Sequence, residues 1–285
     1  MDKNELKDLS HISRIDIELQ SYCNRKCEWC PNKDFLRDFH EILPRNVYVD
    51  LLYQLLDANY IFRNQINTLP RIHFIGYQEP FSNIDLLEDR INICNDILGK
   101  DNIWIHLSTN GDYLCKQYLD KIHASSIIVN DYDCNGKTYW QNKLISFGGK
   151  NISYNKLTDR LGCRTNTINN LIVQLNWKYN CELENRGGYF KQGDLSELKW
   201  KNNMDQRIIP CLQPQYYINI SYDGSVMPCC HMRPDNPEHK DYILGNIKDT
   251  PLVDIYYSEK AKKIREKLRV HYGDYPEPCK YCQKI

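Results

Sequence analysis

The chain has 285 residues, 41% of them hydrophobic, with 37 Lys and Arg against 37 Asp and Glu, which suffices for one large or two modest domains. The balanced charge offers no field for nucleic acid or an anionic membrane, no run approaches the roughly 18 apolar residues of a span, and the charged stretch Met1–Lys7 is not a signal peptide. Thirteen cysteines without an export signal read as reduced thiols and metal ligands of a cytoplasmic protein.

Up to about residue 185, strand patterns alternate with helical ones, as in a parallel α/β layer or barrel. Arg14–Leu19 alternates polar and apolar residues at period two. It delivers the run Ser21-Tyr22-Cys23-Asn24-Arg25-Lys26-Cys27-Glu28-Trp29-Cys30-Pro31 at its C-terminal end. Cysteines separated by three residues and then two wrap one short loop around three corners of an iron–sulfur cube. A [4Fe–4S] cluster normally takes four thiolates, so Cys23, Cys27 and Cys30 leave one iron open, as catalytic metal sites do. A zinc knuckle would need two-plus-two spacing and a second Cys or His pair. His40 is the nearest histidine, and no pair follows it.

A helix is predicted near Val47–Phe62, with Leu51, Leu52, Leu55 and Leu56 at helical spacing. Arg71–Tyr77 is the second strand and ends in Gly76-Tyr77-Gln78-Glu79-Pro80. A helix from about Asp85 to Leu98 follows, capped by Asn83 or Asp85. Asn102–Ser108 is the third strand, and it runs into Ser108-Thr109-Asn110-Gly111. Ser126–Asn130 is the fourth, Lys150–Tyr154 a fifth, and Ile172–Leu175 or Cys181–Leu183 the sixth. Functional groups gather at the C-terminal ends of parallel strands, and the polar residues singled out here fall directly after predicted strands. The segment from Gly136 to Tyr179 is placed to line a pocket, but its specificity is not readable.

The last hundred residues differ in texture. Tyr216–Ser221 and Ser225–Pro228 flank Tyr222-Asp223-Gly224, which predicts a hairpin with an Asp-Gly turn. A helix over Leu252–Leu268 leads to Cys279-Lys280-Tyr281-Cys282. Cys211, Cys229, Cys279 and Cys282 form a four-thiolate set, suited to a second cluster or to zinc. Neighbours on a strand point to opposite faces. A metal-facing Cys229 therefore turns Cys230 toward the barrel mouth, where a thiol could return a hydrogen atom to a substrate radical. Cys94, Cys115, Cys134, Cys163 and Cys181 lack ligand spacing and read as buried small hydrophobes.

The cysteine loop resembles the signature of the radical S-adenosylmethionine (SAM) enzymes. The resemblance implies an α/β fold, a partial (β/α)6 barrel over residues 1–190, with SAM across the strand tips. It also implies a small C-terminal α+β iron–sulfur domain over 191–285. That domain is similar to the twitch domain, a short form of SPASM, and implies an auxiliary [4Fe–4S] cluster on Cys211, Cys229, Cys279 and Cys282. Related enzymes carry Gly-Gly-Glu or Gly-Glu-Pro after the second strand, which makes Glu79 the ligand of the SAM amino group. Similar Thr-Asn-Gly runs place Ser108, Thr109 and Asn110 near the SAM ribose and carboxylate. The order of landmarks, including Asn185-Arg186-Gly187-Gly188 and Gly245-Asn246-Ile247, is similar to that of 2-deoxy-scyllo-inosamine dehydrogenase-like enzymes.

The implied reaction uses two [4Fe–4S] clusters and SAM to oxidise a ring carbinol of a small polar, sugar-like or aminocyclitol-like substrate to a ketone. Arg186 would bind a substrate hydroxyl or carboxylate, and a flavodoxin- or ferredoxin-type reductant would supply electrons. Cys230 stands where the dehydrogenase has an aromatic residue, so a radical epimerase with Cys230 as hydrogen donor is the alternative. Modification of a peptide and a non-catalytic metal-binding scaffold are the other readings.

Overall fold

The computed structural model describes residues 8–33, 37, 40–62, 68–177, 189, 207–271, 275–280 and 282. Cys181, Leu183 and Arg186 therefore lie outside the described residues. The first parallel strands are β1 (Arg14–Ile17), β2 (Arg71–Phe74), β3 (Trp104–Thr109) and β4 (Ala124–Asn130). Beyond β4 come β5 (Lys150–Asn155), β6 (Arg160–Arg164) and β7 (Ile168–Gln174), and the C-terminal region adds β8 (Tyr217–Ile220), β9 (Ser225–Met227) and β10 (Gly245–Asn246). All ten join one sheet in the order β10-β9-β8-β1-β2-β3-β4-β7-β6-β5.

Six neighbours, β8-β1-β2-β3-β4-β7, are parallel. Strands buried on both faces are ordinarily near-continuous apolar runs, but these alternate. Ile15, Ile17, Ile72, Phe74, Ile105, Leu107, Ile127, Val129, Leu171 and Val173 are all buried on one face. They form one core with Tyr48, Leu51, Leu52 and Leu55 of helix α1 (Arg45–Asp57) and with Leu87, Ile91 and Leu98 of helix α2 (Ile84–Leu98). Each such side chain contributes roughly 1.5–3 kcal/mol on burial. The opposite face is polar. One row runs across it in register: Asn219, Asp16, His73, His106, Ser126 and Asn170. His73 and His106 stack at 4.5 Å, and burial pushes both imidazoles down, His106 to about 4. Both are neutral at pH 7.

Asn83 caps α2 by accepting a hydrogen bond from the Leu86 N–H at 3.2 Å, as expected. The C-terminal hairpin also forms, β8 pairing antiparallel with β9 across the Asp223-Gly224 turn. Three expectations need correction. Lys150–Tyr154 is a strand, but it pairs antiparallel with β6 at the far edge. Its side chains are almost all exposed, so it has no apolar row to bury, and the parallel place beside β4 goes to β7. The helix expected over Leu252–Leu268 is two, Leu252–Tyr256 and Glu259–Leu268, because Ser258 caps the second through its hydroxyl. Cys94 and Cys163 are buried as expected, whereas Cys115 and Cys134 are only half-buried.

A buried ionic chain ties the C-terminal region to the barrel. Asp235 accepts from Arg37 Nε at 2.8 Å and from Arg233 Nε and Nη2 at 2.5 Å each. Arg37 Nη1 donates to Glu18 at 3.1 Å, and Arg233 Nη1 donates to Asn32 at 2.9 Å. Burial alone would raise the Asp235 carboxyl, but the hydrogen bonds from Arg233 and Arg37 outweigh it and hold the group well below the usual carboxylate range. A carboxyl whose folded-state pKa is depressed stabilises the fold above its unfolded value of about 3.9, and that contribution fades as pH falls further. Asp235→Asn leaves two buried guanidinium groups short of a counter-charge. Thermal unfolding at pH 7 should show a loss of about 3 kcal/mol, and the gap to wild type should narrow as pH drops below about 4.

Candidate active site

At the C-terminal ends of the parallel strands lies a cavity of about 1130 Å³, open to solvent. Cys23, Cys27 and Cys30 line it from the loop after β1, Glu79 from the end of β2, and Ser108, Thr109 and Asn110 from the end of β3. Cys230 closes it from the C-terminal region. Parallel pairing brings these tips together although the residues are far apart in the chain.

Backbone and side-chain bonds fix the cysteine loop. The Glu79 N–H donates to the Tyr22 carbonyl at 2.9 Å, and Asn32 Nδ2 donates to the Tyr77 carbonyl at 2.7 Å. Asn110 Nδ2 donates to Asn24 at 2.8 Å. Arg25 forks onto Asp112 and Asp133. Tyr77 and Gln78, between Gly76 and Glu79, have work of their own. Gln78 Oε1 accepts from the Leu19 and Gln20 N–H groups and its Nε2 donates to the Ile17 carbonyl, pinning the exit of β1. The Tyr77 hydroxyl donates to the His231 carbonyl at 3.2 Å.

Glu79 is the chemically distinctive group. It is 2% exposed, and its carboxylate accepts from the Thr109 hydroxyl at 2.6 Å and from the N–H groups of Asn110 and Phe81 at 2.8 and 3.1 Å. Burial pushes its pKa up to about 7, and these three donors limit the rise. All three are neutral. A carboxylate so placed, beside three cysteines, fits the ammonium group of an amino-acid ligand such as SAM. The thiols of Cys23 and Cys27 are pushed up to about 12 and about 11, chiefly by burial, so as thiolates they need the positive charge of a metal centre.

A second cavity of about 420 Å³ is lined by Cys211, Cys229, Cys279 and Cys282. Burial raises Cys279 to about 12 and Cys229 well above an ordinary thiol. Four desolvated sulfurs around one small space fit a closed cluster site. Cys229 lines this cavity and Cys230 the first, while His231 lines both. Sequence reasoning missed Trp29, Tyr132 and Trp177, whose rings meet at 4.8–5.5 Å on the wall of the first cavity. Tyr132 and Trp177 follow β4 and β7 directly, and that position was the available signal.

Residues 211–283 match the SPASM family, an iron–sulfur cluster-binding domain. Over the rest of the chain the fold is that of the solved structures named below. It is 24% identical over 279 residues to the S-adenosyl-L-methionine-dependent 2-deoxy-scyllo-inosamine dehydrogenase of Niallia circulans, covering 96% of this chain and 94% of that protein. Among solved structures it resembles BtrN in complex with AdoMet and 2-DOIA, with a TM-score of 0.68, 20% identity and coverage of 96% and 94% of the two chains. It also resembles anSMEcpe with bound AdoMet, with a TM-score of 0.51, 14% identity and coverage of 90% and 80%. No helix among the described residues is long and apolar enough to cross a membrane.

Thr109→Val keeps the side-chain shape but removes a donor from Glu79, raising the carboxyl further. Calorimetric titration with SAM should show affinity falling about 5–10-fold at neutral pH, from a hydrogen bond of roughly 1 kcal/mol. The deficit should be larger at pH 6 than at pH 8, because the protonated carboxyl does not hold an ammonium group.

Proposed function

We propose that this protein is a radical SAM oxidoreductase that oxidises a carbinol of a small polar, sugar-like or aminocyclitol-like substrate to a ketone. The observation that carries this reading is the division of the cysteines between two cavities, one also lined by Glu79 and the strand tips and the other lined by four cysteines. When bound, SAM and the first [4Fe–4S] cluster supply hydrogen-atom abstraction from carbon, and the auxiliary cluster supplies a one-electron acceptor. Cys23, Cys27 and Cys30 would hold the first cluster, and Cys211, Cys229, Cys279 and Cys282 the second.

Glu79 orients SAM by its amino group, with Thr109 and Asn110 fixing the carboxylate from β3 and Ser108 beside them on the cavity wall. Trp29, Tyr132 and Trp177 wall the cavity with apolar surface that keeps water from a reactive carbon radical. Arg186 is assigned to a substrate hydroxyl or carboxylate, which a guanidinium binds through two parallel bonds. Electrons would come from a flavodoxin- or ferredoxin-type protein. The substrate class follows the Niallia circulans relative, whose substrate is an aminocyclitol.

One observation favours a second reading, epimerisation: Cys230 lines the first cavity, where its thiol could return a hydrogen atom to the opposite face of the substrate. Anaerobic turnover of 2-deoxy-scyllo-inosamine in deuterated water separates the two. Oxidation predicts a ketone formed with 5′-deoxyadenosine, retained activity in Cys230→Ala, and no solvent deuterium at the reacting carbon. Deuterium incorporation by wild type, with stalled turnover but continued 5′-deoxyadenosine release in Cys230→Ala, would sink oxidation and establish epimerisation.

A further inference from the structure

One helix, Glu259–Leu268, covers part of the auxiliary cysteine site. It buries Ile264 and Leu268 in the same small apolar cluster as Cys211 and Cys279, and Leu268 lines the cysteine cavity. The Cys211 N–H donates to the Leu268 carbonyl at 2.7 Å, and Gln215 Nε2 donates to the Arg265 carbonyl at 3.3 Å. The segment that carries Cys211 therefore runs along the end of this helix.

The outer side of the helix is cationic. Lys260, Lys263 and Lys267 recur at helical spacing and are exposed, as is Arg269 just beyond the last turn. None of these four is ion-paired among the described residues, whereas Lys262 pairs with Glu259 at 3.2 Å. With that pair cancelling and Glu266 set against the four cations, the face holds a surplus of three positive charges. The chain as a whole is balanced, 37 against 37. Like charges at these spacings repel, so the helix is held by its buried side and gains nothing from the outer one. Leu212 directly follows Cys211 and Val270 directly follows Arg269, and they are 50% and 49% exposed. Apolar surface thus adjoins the cations where the cysteine segment meets the helix.

Charge and position together decide what this face meets. In the proposed oxidation, removing a hydrogen atom from the carbinol carbon leaves a radical. Forming the C=O bond from it releases the hydroxyl proton to solvent and one electron to the auxiliary site. That electron has to leave before the next turnover. A protein that receives it needs a one-electron centre and, to meet this face, an acidic surface. Complementary charge steers encounter, and weak electron-transfer interfaces are small, a scale that one helical face with two apolar neighbours matches. Nucleic acid or anionic lipid would meet the same charge, but neither has a use for the thiol site beneath it.

We propose that the outer face of Glu259–Leu268, with Arg269, Leu212 and Val270, docks an acidic one-electron carrier protein, whose oxidised centre is reduced by the electron leaving the auxiliary site. The assignment rests on the auxiliary cluster of the proposed function, and it adds the partner and the place where that partner binds.

The test uses an acidic flavodoxin in its oxidised form and the anaerobically reconstituted protein. In calorimetry, wild type should bind the flavodoxin with an affinity that falls as salt is raised. Lys263→Glu/Lys267→Glu should weaken binding at low salt by about 10-fold or more. Stopped-flow then follows the Cys23→Ala/Cys27→Ala/Cys30→Ala variant, reduced at its auxiliary site alone. Reversing the two lysines in that background should slow electron transfer to flavodoxin by about 10-fold and leave the rate toward a small neutral quinone unchanged. If the quinone rate also falls, the neutral pair Lys263→Gln/Lys267→Gln decides. It should slow flavodoxin by about 3-fold with the quinone rate intact. Failure of wild type to bind flavodoxin overturns the docking face, as does tighter binding to duplex DNA or to phosphatidylglycerol vesicles. Iron separates this from the broader reading. Zinc in place of iron in the triple-alanine variant removes the auxiliary cluster, and the electron-transfer step with it. Full iron content with flavodoxin affinity and transfer rate unchanged in both lysine pairs removes the docking face alone.

Discussion

The structure depends on a sheet of parallel strands whose two faces have opposite character. Burying one row of Ile, Leu, Val and Phe side chains against α1 and α2 fixes the register, because a slip of one residue would turn every polar side chain into that core. With the register fixed, Asn219, Asp16, His73, His106, Ser126 and Asn170 align across six strands. The cavity-lining residues lie further along, from Ile75 and Ser108 near the strand tips to Cys23, Glu79, Tyr132 and Trp177 in the loops that follow. The hydrophobic effect on the outer face therefore positions the chemistry of the inner one, and polar groups are stored inside the sheet at a cost that ion pairs and hydrogen bonds offset only in part.

The loop after β2 does more than carry Glu79 to the cavity wall. A short glycine-rich turn would bring an acidic side chain to the ligand with little else attached. Here Gln78 takes over the backbone of β1, and Tyr77 reaches across to the C-terminal region. The guanidinium groups of Arg37 and Arg233 lie 5.7 and 4.8 Å from the Tyr77 ring centroid. Glu79 lines the cavity within a surround braced by these contacts.

Features set by spacing in the chain were readable from sequence. The Cys23 loop, the Asn83 cap, the Asp-Gly hairpin and the final cysteine pair all depend on residues close together. Cys229 and Cys230 do line different cavities, but they lie beyond β9 (Ser225–Met227) in a bend and a turn, so the strand alternation expected from sequence is not what separates them. What was not readable depended on competition between segments. Lys150–Asn155 has strand-forming residues, but nothing local says that Ile168–Gln174 will displace it from the parallel layer. Likewise Trp29, Tyr132 and Trp177 belong to three separate loops that meet only after the sheet has formed. Helix Gly136–Ser146 buries just Trp140 and Leu144, too little periodicity to announce itself. Glu18 reads as one more polar residue in an alternating strand, and only the folded chain shows it accepting from the Tyr77 N–H and from Arg37.

The pairing of β8 with β1 has a consequence for how this chain is made. The Ser13 hydroxyl bonds the Tyr216 carbonyl across 203 residues of sequence, and β1 is otherwise paired only with β2. As the ribosome emits the chain, the first strand to appear waits for its second neighbour until β8 emerges, about 200 residues later. Until then its free edge is a template for pairing with other chains, and contacts so distant in sequence close slowly. Nascent protein is therefore most exposed to aggregation while the cysteines of the first loop are already outside the ribosome. Truncation ahead of Tyr217 would leave that edge of β1 without β8.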